Sequence, residues 1–206
     1  MAILRPNIAM DAPPTSIDVG GFTYTINTDY RVWIGVLHDL RELLPAPATE
    51  EEIAHNAVML TKISMDILFG KPMKWETGEQ IAEFLQAVST FASGYPSAPI
   101  KPDNRVRPQT FSFEHDINPI VLAFKRYYGE DISYTCESYH WWIFLEKFQA
   151  LCGDDLMILK LMEIRGYTGK DEELKRQASR FAIPHEQTAS ERLMMSEIND
   201  EFYGAH

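Results

Sequence analysis

Little in this chain points to a reaction. Its six histidines, His38, His55, His115, His140, His185 and His206, include no HExxH and no pair three or four residues apart, so a helical metal chelate has no basis. No GxSxG elbow, Walker loop or GxGxxG occurs, and the eleven glycines are scattered. The two cysteines, Cys136 and Cys152, match neither a CxxC pair nor a zinc-ligand spacing, and they read as buried free thiols in a reducing compartment. No uncharged apolar run is longer than that of Trp141 to Leu145, which is far short of the roughly twenty residues needed to cross a bilayer. Residues 1–10 hold no apolar core of a signal peptide.

Basic charge is also scarce. Lys and Arg number 19 against 30 Asp and Glu, a net charge of −11, with no basic block. Nucleic-acid binding draws most of its affinity from Lys and Arg that displace counterions, so nucleic acid and anionic membrane are poor partners. What the chain does have is 206 residues, 45% hydrophobic and 12% aromatic, enough for a real core and too aromatic for disorder.

The expected organisation is mainly α: a multi-helix bundle of about six to eight helices with a short N-terminal β-hairpin. Residues 1–15, with Pro6, Pro13 and Pro14, read as a flexible arm. Two alternating runs flank Gly20-Gly21, a pair that supplies the positive φ of a tight hairpin turn. The period then changes to that of a helix, with Trp33, Val36, Leu37, Leu40 and Leu44 on one stripe behind a cap at Thr28 or Asp29. Thr49 with Glu52 forms a capping box before Ile53, Ala57, Leu60, Ile63 and Ile67. Thr77 with Gln80 does the same before Ile81, Phe84, Leu85, Val88 and Phe91. Of the methionines, Met59, Met65 and Met73 are expected to pack internally.

A Pro-rich stretch over 94–110 breaks the helical domain expected for 16–168 and reads as a junction between two halves. Beyond it, Ile117 to Tyr128 and Trp141 to Cys152 form two stripes closed by glycine, Asp116 and Glu114 favour a helix start, and Asp154-Asp155 opens Leu156 to Ile164, which reads as buried on most sides. The segment 169–206 is a charged helical tail whose narrow stripe, Leu193, Met194, Met195, Ile198 and Phe202, is the candidate partner contact.

Three clusters are candidates for chemistry. Glu114-His115-Asp116 holds an acid, a base and an orienting carboxylate, but adjacent residues diverge, and helix capping explains the acids. His140 beside Trp141 and Trp142 offers a stacking site, though aromatics at helical spacing are more often core. Asp154-Asp155 lacks a third oxygen donor. The expectation is therefore no catalytic residue, no metal, no cofactor and no enzyme, with a small hydrolase on Glu114, His115 and Asp116 as a minor alternative.

Several segments together resemble a known family. They are Phe111-Ser112-Phe113-Glu114-His115-Asp116, Ile120 and Phe124, Tyr127-Tyr128-Gly129-Glu130-Asp131-Ile132, His140-Trp141-Trp142-Ile143-Phe144-Leu145, and Glu163-Ile164-Arg165. Gly21 to Val32, with an "NTD-aromatic-R" helix start, adds to them. The chain is similar over about residues 16–166 to the bacteriophage family named for a fifteenth gene product of long-tailed, non-contractile phages. The paired tryptophans with their preceding histidine are its most specific piece, and Trp141, Trp142 and Phe144 are the motif residues expected in the core.

That resemblance implies a non-enzymatic tail assembly chaperone in the host cytoplasm. It would bind the tape measure protein and keep it soluble for tail-tube polymerisation. It would act as a homo-oligomer, with the tail tube protein a further candidate partner. The alternative is a structural virion component of the tail or head-tail connector.

Overall fold

The computed structural model describes residues 12–94, 108–153 and 156–195. The protein is mainly α, with eight helices among these residues and one two-stranded antiparallel sheet near the N-terminus. It divides into two compact units. One, the hairpin unit, takes Pro14–Ser93 and the segment from His185 onward. The other, the tryptophan unit, takes Gly94–Pro184, together with the chain up to Pro13.

The hairpin unit begins with β1 (Ser16–Val19) and β2 (Phe22–Thr25), paired from Ser16 opposite Thr25 to Val19 opposite Phe22. Gly20 and Gly21 both sit at positive φ, 59° and 77°, which a two-residue primed turn demands and which a side chain would strain. A lone hairpin is marginal in water. This one buries Ile17 and Val19, and it packs on helix α3 (Gly78–Ala92), whose Glu83 accepts the Gly20 N–H at 2.7 Å.

Helix α1 (Tyr30–Arg41) is capped by Asp29 and α2 (Glu50–Ile67) by Thr49, whose box with Glu52 is complete. Between them, Asn56 holds the turn by exchanging two hydrogen bonds of 2.9 Å with the Leu44 backbone. Trp33, Val36, Ile63, Ile67, Phe84, Val88 and Phe91 are buried, with Trp33 against Phe91 at 4.4 Å between ring centroids. The unit also carries helix α8 over 189–195, started by Thr188, whose hydroxyl accepts the Glu191 N–H.

Two expectations fail here. Ile53 and Ala57 do not extend the core stripe of α2. Both are exposed, because the helix sinks its apolar face only from Leu60 onward. Met65 does not pack internally either; it projects from the outer face, while Ile63 and Ser64 take the buried positions beside it.

The tryptophan unit packs α4 (Ile117–Tyr128) against α5 (Trp141–Gln149) and α6 (Met157–Arg165), with α7 (Glu172–Arg180) on α6. Gly129, at φ 72°, supplies the left-handed residue that ends α4. The apolar run Leu156 to Ile164 is not buried on most sides. Ile158 and Leu161 are buried and Met157 is exposed, so α6 covers its neighbours with one face. Helix α7 buries no residue and is held by Asp171 at its N-cap and by i,i+3 ion pairs. No helix among the described residues is long and apolar enough to cross a membrane.

Candidate functional site

The motif residues of the tryptophan unit converge on one aromatic cluster. Phe113 lies 5.7 Å from Trp141, 5.6 Å from Phe144 and 5.3 Å from Phe148 between ring centroids, and Phe144 stacks on Phe124 at 5.3 Å. Trp141, Trp142 and Phe144 are all buried. His140 has a local structural role. Its extended backbone makes it the N-cap of α5, and Nδ1 accepts the Trp142 N–H at 3.1 Å. The histidine before the tryptophans therefore starts the helix that buries them.

Asp116 departs from expectation in a different way. It occupies the N-cap position of α4 but makes no capping bond with its side chain. Instead the carboxylate accepts two hydrogen bonds from Arg165, at 2.6 and 3.0 Å, and one from the Ser112 N–H at 2.9 Å. The ion pair is nearly dry, with side chains 8% and 3% exposed. Arg165 also donates to the carbonyls of Thr110 and Phe181, so one guanidinium joins α6 to the segment 110–116 and to the end of α7. Glu114 and His115 are exposed while Asp116 is buried in this pair, so the three do not converge as acid, base and orienting group. Asp154 and Asp155 lie outside the described residues.

A third arrangement comes from the Tyr-Tyr-Gly-Glu-Asp motif. Glu130 accepts hydrogen bonds from Lys147 on α5 and from the Tyr139 hydroxyl, and the Lys147 ammonium lies over the rings of Tyr128 and Tyr139 at 5.3 and 5.8 Å. These bonds hold the Glu130 carboxyl below its usual range, the Lys147 bond most and the Tyr139 bond next. Asp131 is pushed down to about 2 by bonds from Ser133 and Lys125.

A carboxyl whose folded pKa lies below its unfolded value stabilises the fold above that unfolded value, about 4.3 for Glu. The contribution is lost as pH falls through the folded value. Glu130→Gln should therefore flatten the fall in melting temperature between about pH 5 and pH 3 relative to wild type. Thermal melts across that range check it, and parallel curves for the two proteins would contradict it.

In the hairpin unit the "NTD-aromatic-R" start is also structural. Asn27 accepts the Asp29 N–H through its side chain and the Trp33 indole N–H through its carbonyl. Asp29 caps α1 and takes two bonds from the Arg31 guanidinium, at 2.7 and 2.6 Å. The motif thus fixes the angle at which α1 leaves the hairpin.

The expected contact stripe is only partly described. Leu193, Met194 and Met195 all face outward from α8, with Met194 63% exposed; Ile198 and Phe202 lie outside the described residues. The Arg192 guanidinium ties the helix to Glu42 at 2.6 Å, while Ala189 is its buried residue. The cysteines are not both buried: Cys136 is half-buried, and Cys152 is exposed, 2.7 Å from the Tyr127 hydroxyl.

Sequence reading missed three pairings: Asp116 with Arg165, Glu130 with Lys147, and Asp39 with Lys62. The first left a trace, since Arg165 closes a run from Leu156 to Ile164 that is mostly apolar. The other two left none, because their partners are 17 and 23 residues apart.

These features define a mainly α protein whose motif residues cap helices, fill cores and neutralise buried charge. The family model described as "Bacteriophage Gp15 protein" matches residues 10–183, and the chain belongs to that bacteriophage family. Comparison with curated proteins and with solved structures gave no match.

Proposed function

We propose that this protein is a phage morphogenesis factor that works by binding, as a tail assembly chaperone for the tape measure protein in the host cytoplasm. The observation that carries the reading is the outward Leu193-Met194-Met195 stripe on a charged helix of an acidic chain. Methionine adapts to irregular apolar surfaces, and net charge −11 keeps copies soluble and apart while they hold a sticky client. Family membership supports the phage setting. Enclosure of Asp116 by Arg165 supports a role without catalysis, since it withdraws the carboxylate from the Glu114-His115-Asp116 cluster.

Co-expression with the protein encoded directly downstream tests the reading. The client should become soluble and co-purify, and Met194→Asp with Met195→Asp should reduce its recovery. A confirmed tape measure protein that stays insoluble would overturn the proposal. So would finding this chain at stoichiometric level in purified virions by mass spectrometry, which would make it a structural subunit of the tail or connector.

A further inference from the structure

The outer face of α2 is unlike that of an ordinary solvated helix. Ala57, Val58, Thr61 and Met65 line a shallow groove of about 460 Å³, with Val58 and Met65 seven residues apart and so two turns along one face of the helix. Val58 is 61% exposed and Met65 41%. The spacing is that of residues that anchor one helix along another.

Lys62 lines this groove and also a second, polar cleft of about 910 Å³ formed by α1, α2 and the segment 185–192. At their junction the charges do not balance. The Lys62 ammonium is 2.6 Å from Asp39 Oδ1, and its charge also acts on the carboxyl of Asp66, the residue after Met65. Two carboxylates thus share one cation. Asp39 is 3% exposed at its side chain, lines the cleft, and its buried Oδ2 has no hydrogen-bond partner among the described residues. A buried carboxylate oxygen without a donor leaves its charge under-compensated, so added positive charge nearby is favourable. Burial also raises the Asp66 carboxyl above its usual range, more than Lys62 lowers it.

We propose that the α2 groove and the junction at Lys62 form a docking site for an amphipathic helical segment that carries a Lys or Arg beside its apolar residues. The apolar side chains would lie between Val58 and Met65, and the basic group would supply the missing positive charge at Asp66 and Asp39. The site rests on the reading above only in that the client would provide the segment, and it is separate from the stripe on α8.

Fluorescence anisotropy with a labelled synthetic amphipathic peptide of leucine and lysine tests it on the full chain. The same pattern written in leucine and glutamate is the control. Wild type should bind the first peptide and not the second. Val58→Asp and Met65→Asp should each weaken binding by about tenfold or more, as for a central contact, and Asp66→Asn by about threefold. Each Asp substitution adds negative charge, so general attraction to a basic peptide would grow, and a loss identifies the groove. Both altered residues are exposed, and circular dichroism should show an unchanged fold.

Unchanged binding in Val58→Asp and Met65→Asp would overturn the proposal. It would equally be overturned by a wild-type dimer, seen in sedimentation, that Val58→Asp dissociates, because the groove would then be a contact between copies. The peptide assay contains no downstream protein, so failure of the chaperone reading leaves its result intact.

Discussion

Trp141→Ala is expected to destabilise the tryptophan unit by about 3 to 5 kcal/mol and to lower its melting temperature by more than about 10 °C. The side chain is 1% exposed and touches Phe113 and Phe144, so truncation removes apolar burial and leaves a cavity that these two rings cannot close. It also removes edge and stacked ring contacts, each worth about 0.5 to 1.5 kcal/mol beyond area. Trp141→Phe keeps part of the volume and should cost less. Near-ultraviolet circular dichroism and thermal melts measure both. An unchanged melting temperature, together with lost client binding, would make Trp141 a recognition residue and not a core one.

Arg165→Ala should be of similar size, about 3 to 5 kcal/mol, because it leaves the Asp116 carboxylate buried without its counter-charge. It also removes the hydrogen bonds to the Thr110 and Phe181 carbonyls. Arg165→Lys keeps the charge but cannot make the two-pronged contact, so it should rescue only in part. The decisive variant is the double one. Arg165→Met with Asp116→Leu removes both charges at once and should recover much of the loss, since a buried pair replaced by apolar groups is often neutral. Chemical denaturation of Arg165→Met, Asp116→Leu and the double variant completes the cycle, and a double variant as unstable as the sum of the two singles would contradict the pairing.

The elements were legible in the sequence because their signals are local. Gly20-Gly21, the Thr49-Glu52 box and Gly129 each act within four residues, and the hairpin, α2 and the end of α4 fall where they predict. The core tryptophans were legible by period and by resemblance. Failures came where the outcome depends on distant chain. Nothing near Asp116 reveals that Arg165 arrives to claim it, so it reads as a cap. Nothing in the period of α2 reveals that its first turns lie beyond the core, so Ile53, Ala57 and Met65 read as buried. The groove was illegible for the same reason, since apolar residues on a helix announce a face without saying whether the same chain covers it.

The division of the chain orders events in time as well as in space. The hairpin unit is interrupted after Ser93 and resumes at His185, so the segment Gly94–Pro184 of the other unit is nested inside its sequence. On a ribosome, the tryptophan unit through Pro184 emerges before the segment that carries Arg192 to Glu42. The helices α1 to α3 must wait through the synthesis of an entire unit for their last element. The Arg192 contact can form only after that unit has emerged, so the display of the Leu193-Met194-Met195 stripe is delayed until the rest of the protein has had time to fold.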